Sequence, residues 1–198
     1  MNIQAVVFDA DGVLFDRPFA FAAHRRKEDP EADAKSAEFF AGPFQDCLVG
    51  RADMRELLPA YLEKWRCPYT LNEYLNTWFE IENHVDQRLL DATASLKSSG
   101  VSCYVATNQE RHRTEHIRNH SGIVPYFERI FASCEIGHRK PDAEFFQAVA
   151  HEIDTPAEGV LFWDDSPANV EAARRHGWHA ELYTGFPDFS DKLRAYIR

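Results

Sequence analysis

Short runs that are apolar at nearly every position limit what this chain can fold into more than any other feature. Residues 4–8 (QAVVF) stop abruptly at Asp9, Asp11 and Gly12. Residues 102–106 (SCYVA) stop at Thr107 and Asn108, and residues 160–163 (VLFW) stop at Asp164 and Asp165. Residues 129–132 and 179–183 give weaker versions of the pattern. A run that is apolar on both alternating sides must bury both faces, as a strand inside a parallel sheet does. The segments between them read as helices at 91–98, 110–120, 141–152 and 167–176, three of them followed closely by a glycine stop, Gly100, Gly122 or Gly177. Strands alternating with helices predict an α/β fold, a parallel sheet with helices on both faces.

Residues 17 to about 88 break the alternation. Segments 37–44, 51–65 and 70–85 read as helical with no strand between them. Met54, Leu57, Leu58, Tyr61, Leu62 and Trp65 recur at helical spacing, a stripe that belongs in a core. The expected organisation is therefore an α/β core from residues 1–16 and 89–198, with an α-helical cap inserted at 17–88.

The balance of 22 basic and 32 acidic residues, a net charge of −10, repels nucleic acid and anionic membranes, so neither is expected as a partner. The four cysteines form no C-x-x-C pair, no basic stretch or long apolar run opens the chain, and no segment is apolar enough to span a bilayer. A cytoplasmic protein with reduced thiols is the expectation. The charge-dense stretch 25–35 reads as solvated surface.

In an open parallel sheet, ligands bind outside the carboxyl ends of the strands. All four polar clusters of this chain fall there: Asp9 with Asp11, Thr107 with Asn108, Lys140 shortly after the third strand, and Asp164 with Asp165. Singly, each has an ordinary reading as a turn or a helix cap. Together, four crowded carboxylates call for a divalent cation, and hard oxygen ligands with open positions suit Mg2+. A hydroxyl and a lysine remain to hold an oxyanion as charge develops.

The segments VVFDADGVLFD, ATN at 106–108, GHRKPDAEFF at 137–146 and LFWDDSPANVEAARRHG at 161–177 resemble, in order, the four motifs of the haloacid dehalogenase (HAD) superfamily. The resemblance covers residues 1–15 and 91–198 and implies a Rossmann-like core; the helical insertion is similar to the small cap of one subclass that includes bacterial sugar-phosphate phosphatases. It implies a Mg2+-dependent phosphatase acting on a small phosphorylated metabolite, a sugar phosphate first. Asp9 would be the nucleophile and a metal ligand. Asp11 would be the acid and base, and its backbone carbonyl a second ligand. Thr107 would hold phosphoryl oxygens, and Lys140 would neutralise Asp9 and the phosphate. Asp165 would bind the metal directly, Asp164 would bind it or hold its water, and Asn169 would support that shell. Asn108 and Arg17 are the expected substrate contacts. Val13 stands where the common first motif has threonine, which removes no catalytic group.

A phosphomutase would need the same core. A 2-haloacid dehalogenase lacks an acid at the position of Asp11, and a non-enzymatic binding protein would not need to keep Asp9, Asp11, Lys140 and the 164–165 pair together. His112, His116 and His120 share a helix face as zinc ligands can, but no carboxylate or cysteine completes the set, so a solvated face is expected. Phe15, Phe19, Arg25 and Trp78 are further candidates to face a substrate. The chain is expected to act as a monomer or a homodimer.

Overall fold

The computed structural model describes residues 3–197. Strand β1 (Ala5–Phe8) leads into α1 (Ala20–Glu28), α2 (Ala32–Ala41), α3 (Phe44–Leu48), α4 (Met54–Lys64) and α5 (Leu71–Ile81). After α6 (Gln87–Ser98) the chain alternates: β2 (Ser102–Thr107), α7 (Arg111–His120), β3 (Arg129–Ala132), α8 (Ser133–Ile136), α9 (Ala143–Ile153), β4 (Val160–Asp164), α10 (Pro167–Arg175), β5 (His179–Leu182) and α11 (Phe186–Tyr196). The strands form one sheet in the order β3-β2-β1-β4-β5, every neighbouring pair parallel.

The apolar runs bury two faces, as their composition requires. Val6, Phe8, Val105 and Trp163 point into a layer with Leu89, Leu96, Ile117 and Phe189 from α6, α7 and α11. Ala5, Val7, Val160 and Phe162 point the other way, against Phe145, Val149 and Val170 from α9 and α10. Phe8, Phe162 and Trp163 have no exposed surface. Fully burying a side chain of that kind contributes about 1.5–3 kcal/mol, so the centre of the sheet is a stiff platform for whatever stands on its edge.

Residues 20–81 hold a separate core, in which Phe39, Met54, Leu58, Leu62, Trp65, Tyr74 and Phe79 pack together. Asp53 caps α4 through the Arg55 N–H, and Thr70 with Glu73 forms a reciprocal capping box on α5. The two chain crossings between this unit and the sheet lie side by side. Asp86 N donates to Leu14 O at 2.9 Å and Asp16 N to His84 O at 3.1 Å, around a bridge between Phe15 and Val85.

Three sequence expectations need correction here. The charged helix α1 has too little apolar periodicity to be read from sequence. The expected helix at 37–44 is two helices, because the chain turns at Gly42-Pro43. The stretch 25–35 is not all solvated: Arg25 is buried, its guanidinium 5.0 Å from the Tyr69 ring centre and bonded to Glu28. Among the described residues, no helix is long and apolar enough to cross a membrane.

Candidate active site

The carboxyl edge of β1 and β4 is where the strand order reverses direction along the chain, the crevice in which open α/β sheets bind ligands. Register does the placing. Phe8 pairs with Trp163, so Asp9 and Asp164 emerge side by side, and Asp9 N donates to Trp163 O at 2.8 Å. Thr107, at the end of β2, is buried at the same edge.

Lys140 reaches this edge from the loop after α8. Its ammonium is 2.8 Å from Asp9 Oδ1 and 2.6 Å from Asp164 Oδ2, and the residue is only 2% exposed. The loop is clamped by Asn108, whose Nδ2 donates to Lys140 O while its Oδ1 accepts from Lys140 N, both at 2.8 Å. Asn108, expected to contact substrate, also has this second task of fixing the lysine backbone. Burial alone would lower the Lys140 pKa, but Asp9 and Asp164 outweigh it and hold the ammonium above its ordinary value.

One ammonium serves three carboxyls. Burial raises Asp9 well above the usual carboxylate range, with Lys140 opposing and Asp164 adding to the rise. Burial, then the charge of Asp164, raises Asp165. Oxygens of Asp9, Asp164 and Asp165 lie within 4.8 Å of one another. Such a pocket is short of positive charge, and a divalent cation is the economical supply.

The partners divide the two motif-four acids. Asp164 has no exposed surface, and it accepts from Lys140, from Ser166 N at 2.8 Å and from Asn169 Nδ2 at 3.0 and 3.1 Å. Among the described residues, no other residue's hydrogen bond occupies the Asp165 carboxylate. The donor set therefore fits Mg2+ through Asp9 and Asp165, with Asp164 oriented by Asn169 and holding Lys140. The Asp11 backbone carbonyl also accepts no hydrogen bond among the described residues.

Gly12 is what lets Asp165 sit there. Its φ is +81°, and a Cβ would lie 2.1 Å from Asp165 Oδ2. Gly12→Ala is expected to cost about 1–2 kcal/mol from backbone strain, lowering the melting temperature by roughly 2–8 °C. It should also raise the magnesium concentration needed for half-maximal stabilisation against heat. Native melting and native magnesium dependence in this variant would disprove the packing.

The sequence reading crowded four carboxylates together; only three converge. The Asp11 side chain turns aside, accepting a hydrogen bond from Gln109 Nε2 and lying 3.8 Å from the Arg113 guanidinium. The helix that carries the three histidines is not wholly solvated: its Arg113 is 1% exposed. It donates to Phe79 O and Glu82 O at 2.9 and 3.1 Å, tying α7 to the end of α5. On the same helix, His112 pairs with Asp53 across the two units at 2.7 Å, and His116 lies against Phe79, its pKa lowered to about 4 by burial. Among the described residues, these three histidines do not form a group whose ligand atoms converge as a metal site requires.

Asp11, Asn108 and Gln109 form the floor of a cavity of about 620 Å3 whose other walls come from the helical unit. Phe19, Arg25 and Trp78 line it, whereas Arg17 is exposed and does not. Phe15 is fully buried beneath Arg113, 5.3 Å from its guanidinium. Gln109, Arg113 and Glu82 were missed by sequence reading. Only the adjacency of Gln109 to Thr107-Asn108 could have signalled one of them.

The sequence model of a family described as haloacid dehalogenase-like hydrolase matches residues 3–177. Among curated proteins, the chain is similar to the phosphorylated carbohydrates phosphatase of Thermotoga maritima, 28% identical over 187 residues, covering 88% of this chain and 82% of that protein. It is also similar to a sesquiterpene phosphatase of Aspergillus oryzae, 38% identical over 92 residues, 46% of this chain and 47% of that protein. Among solved structures, a HAD family enzyme of Bacteroides thetaiotaomicron in complex with magnesium and inorganic phosphate superposes with a TM-score of 0.80 at 20% identity, over 99% of this chain and 100% of that one.

Proposed function

Because the chain belongs to the haloacid dehalogenase-like hydrolases, we propose that it is a magnesium-dependent phosphatase that hydrolyses small phosphate monoesters through an aspartyl-phosphate at Asp9. The observation that carries this reading is the division of the four carboxyls. Three crowd around Lys140 in a pocket short of positive charge, and the fourth, Asp11, stands apart on the floor of the cavity. A phosphatase needs such a division: one carboxylate to attack, and one free carboxyl to move protons.

The Asp9 carboxylate attacks phosphorus, and the bond from phosphorus to the leaving oxygen breaks. Asp11 donates its proton to that oxygen, so the alcohol leaves neutral. Asp11 then takes a proton from water, whose oxygen attacks the same phosphorus and releases inorganic phosphate and Asp9. Lys140 offsets the charge on Asp9 and on the phosphoryl oxygens throughout. The Thr107 hydroxyl and the neighbouring backbone N–H groups hold those oxygens. Magnesium, bound by Asp9, Asp165 and the Asp11 carbonyl, would add charge neutralisation and alignment of the phosphoryl group.

Names of relatives point to two leaving groups, a carbohydrate and a sesquiterpene. A small phosphorylated metabolite covers both. The test is release of inorganic phosphate from a panel of monoesters. Activity is expected to vanish with a chelator and return with magnesium; full turnover in chelator would refute the metal assignment.

Asp11→Asn separates the two half-reactions. On an alkyl phosphate, turnover is expected to fall about 10²–10⁴-fold. On an aryl ester whose leaving group needs no proton, the first step should persist and the second stall, so intact-mass measurement should trap phosphorylated chain. Native steady-state turnover with no trapped species would remove Asp11 from the proton path.

A further inference from the structure

We propose that the preferred substrate is a phosphate monoester of an apolar alcohol, terpenoid or aromatic, rather than of a sugar; this deepens the phosphatase reading and rests on it. The cavity opens directly onto Asp11 and has a volume of about 620 Å3, within the roughly 300–1,000 Å3 range of sites that enclose a whole small ligand. Whatever is esterified to a phosphate beside Asp9 and Asp11 must occupy it.

The wall is aromatic: Phe19, Phe21, Phe40, Phe44, Trp65 and Trp78 all contribute. Most of its polar groups already have partners. Glu82 accepts from Phe21 N at 3.2 Å and from Trp78 Nε1 at 2.7 Å. Arg25 is bonded to Glu28, Arg26 to Asp33 at 2.6 Å, and Lys35 to Asp29 at 2.7 Å. Gln45 donates to Phe40 O and accepts from Arg139. Trp65 Nε1, Asp11 Oδ1 and the Tyr74 hydroxyl have no hydrogen-bond partner among the described residues, but Asp11 is the proposed acid and base, and the two groups that remain are few for a polyol. A sugar entering this space would strip water from several hydroxyls and find few groups free to replace it, which costs binding. An apolar skeleton gives up no hydrogen bonds to water on entry and gains the burial.

Phe19 adds an independent sign. It is 75% exposed and sits at φ 65°, a left-handed conformation unusual for a bulky residue. Neither burial nor backbone preference accounts for a phenylalanine there. It stands on the cavity wall at the start of α1, where a ligand would cover it.

The experiment compares kcat/KM, in magnesium, for geranyl and naphthyl phosphates against glucose and ribitol phosphates, with native, Asp9→Asn and Phe19→Ala proteins. The apolar esters are expected to lead by about tenfold or more, a range that a few methylenes in an apolar pocket can supply. Because Phe19 is on the surface, Phe19→Ala should keep the native circular dichroism while lowering kcat/KM for geranyl phosphate roughly three- to tenfold and sugar esters less. Asp9-dependent hydrolysis that favours the sugar phosphates would overturn this inference and leave the phosphatase reading standing. An unchanged ratio in Phe19→Ala would overturn the cavity as the reader of the leaving group. Release of phosphate from no ester would overturn both readings.

Discussion

Asp9→Asn is expected to reduce turnover by about four orders of magnitude or more, as loss of a covalent nucleophile does, while the protein stays folded. The asparagine keeps the shape of the side chain and an oxygen that can accept from Ala10 N and Lys140, which lie 2.7 and 2.8 Å from Asp9 Oδ1. It gives up the charge that attacks phosphorus. Folding should not suffer, because three carboxyls share one ammonium at this edge and removing one charge relieves repulsion. The measurements are phosphate release under saturating substrate and thermal unfolding. Turnover within tenfold of native, in protein that melts normally, would end the proposal that Asp9 forms the covalent intermediate.

Lys140→Met should have the largest effect on stability. The ammonium is almost wholly buried between Asp9 and Asp164, and removing it leaves both without their cation. Breaking a buried pair this way costs about 3–5 kcal/mol, or roughly 6–20 °C of melting temperature. Turnover should be lost as well. The deficit has a pH signature. Burial raises Asp9, so the folded variant binds more protons than the unfolded chain, and its stability should fall as pH rises and recover on acidification. Magnesium should restore part of the loss by supplying the missing charge, and Lys140→Met combined with Asp164→Asn should melt above the single variant. A melting temperature within about 2 °C of native would show that the pair contributes little.

The sheet and its carboxyl edge were legible because both are local in sequence. Residues 4–8 and 160–163 carry their own burial signal, and the acids follow immediately, so finding the strand finds the site. Lys140 was legible only through its motif. Its position depends on the Asn108 clamp, a contact across 32 residues that no local pattern records. Asp11 was read as one of four crowded carboxylates, but the Gln109 and Arg113 side chains turn it out of the cluster. Arg17 was the expected substrate contact and Arg25 only a further candidate. The turn into α1 sends Arg17 to the surface and brings Arg25 round to the cavity. Helix α1 itself was unreadable: it is charged, short of apolar periodicity, and buries only Phe21 and Arg25. The walls of the cavity are drawn from four helices and several turns, so their chemistry emerges only when the chain is folded.

The paired crossings at 14–16 and 84–86 bear on how such a protein can change over generations. The helical unit leaves the sheet and rejoins it at one spot, with its own core. Substitutions deep inside it lie far from the sheet layers, and free-energy effects of distant sites add with little coupling. A lineage could therefore retailor the pocket wall, swapping one leaving group for another, without disturbing the register that sets Asp9 beside Asp164. Wholesale exchange of residues between the crossings would ask more: besides two neighbouring backbone hydrogen bonds, the contacts of Arg113, His112 and Arg139 with the helical unit would have to be rebuilt. Selection can then act on taste and on chemistry separately, and the inherited apparatus for breaking a phosphate ester survives each change of diet.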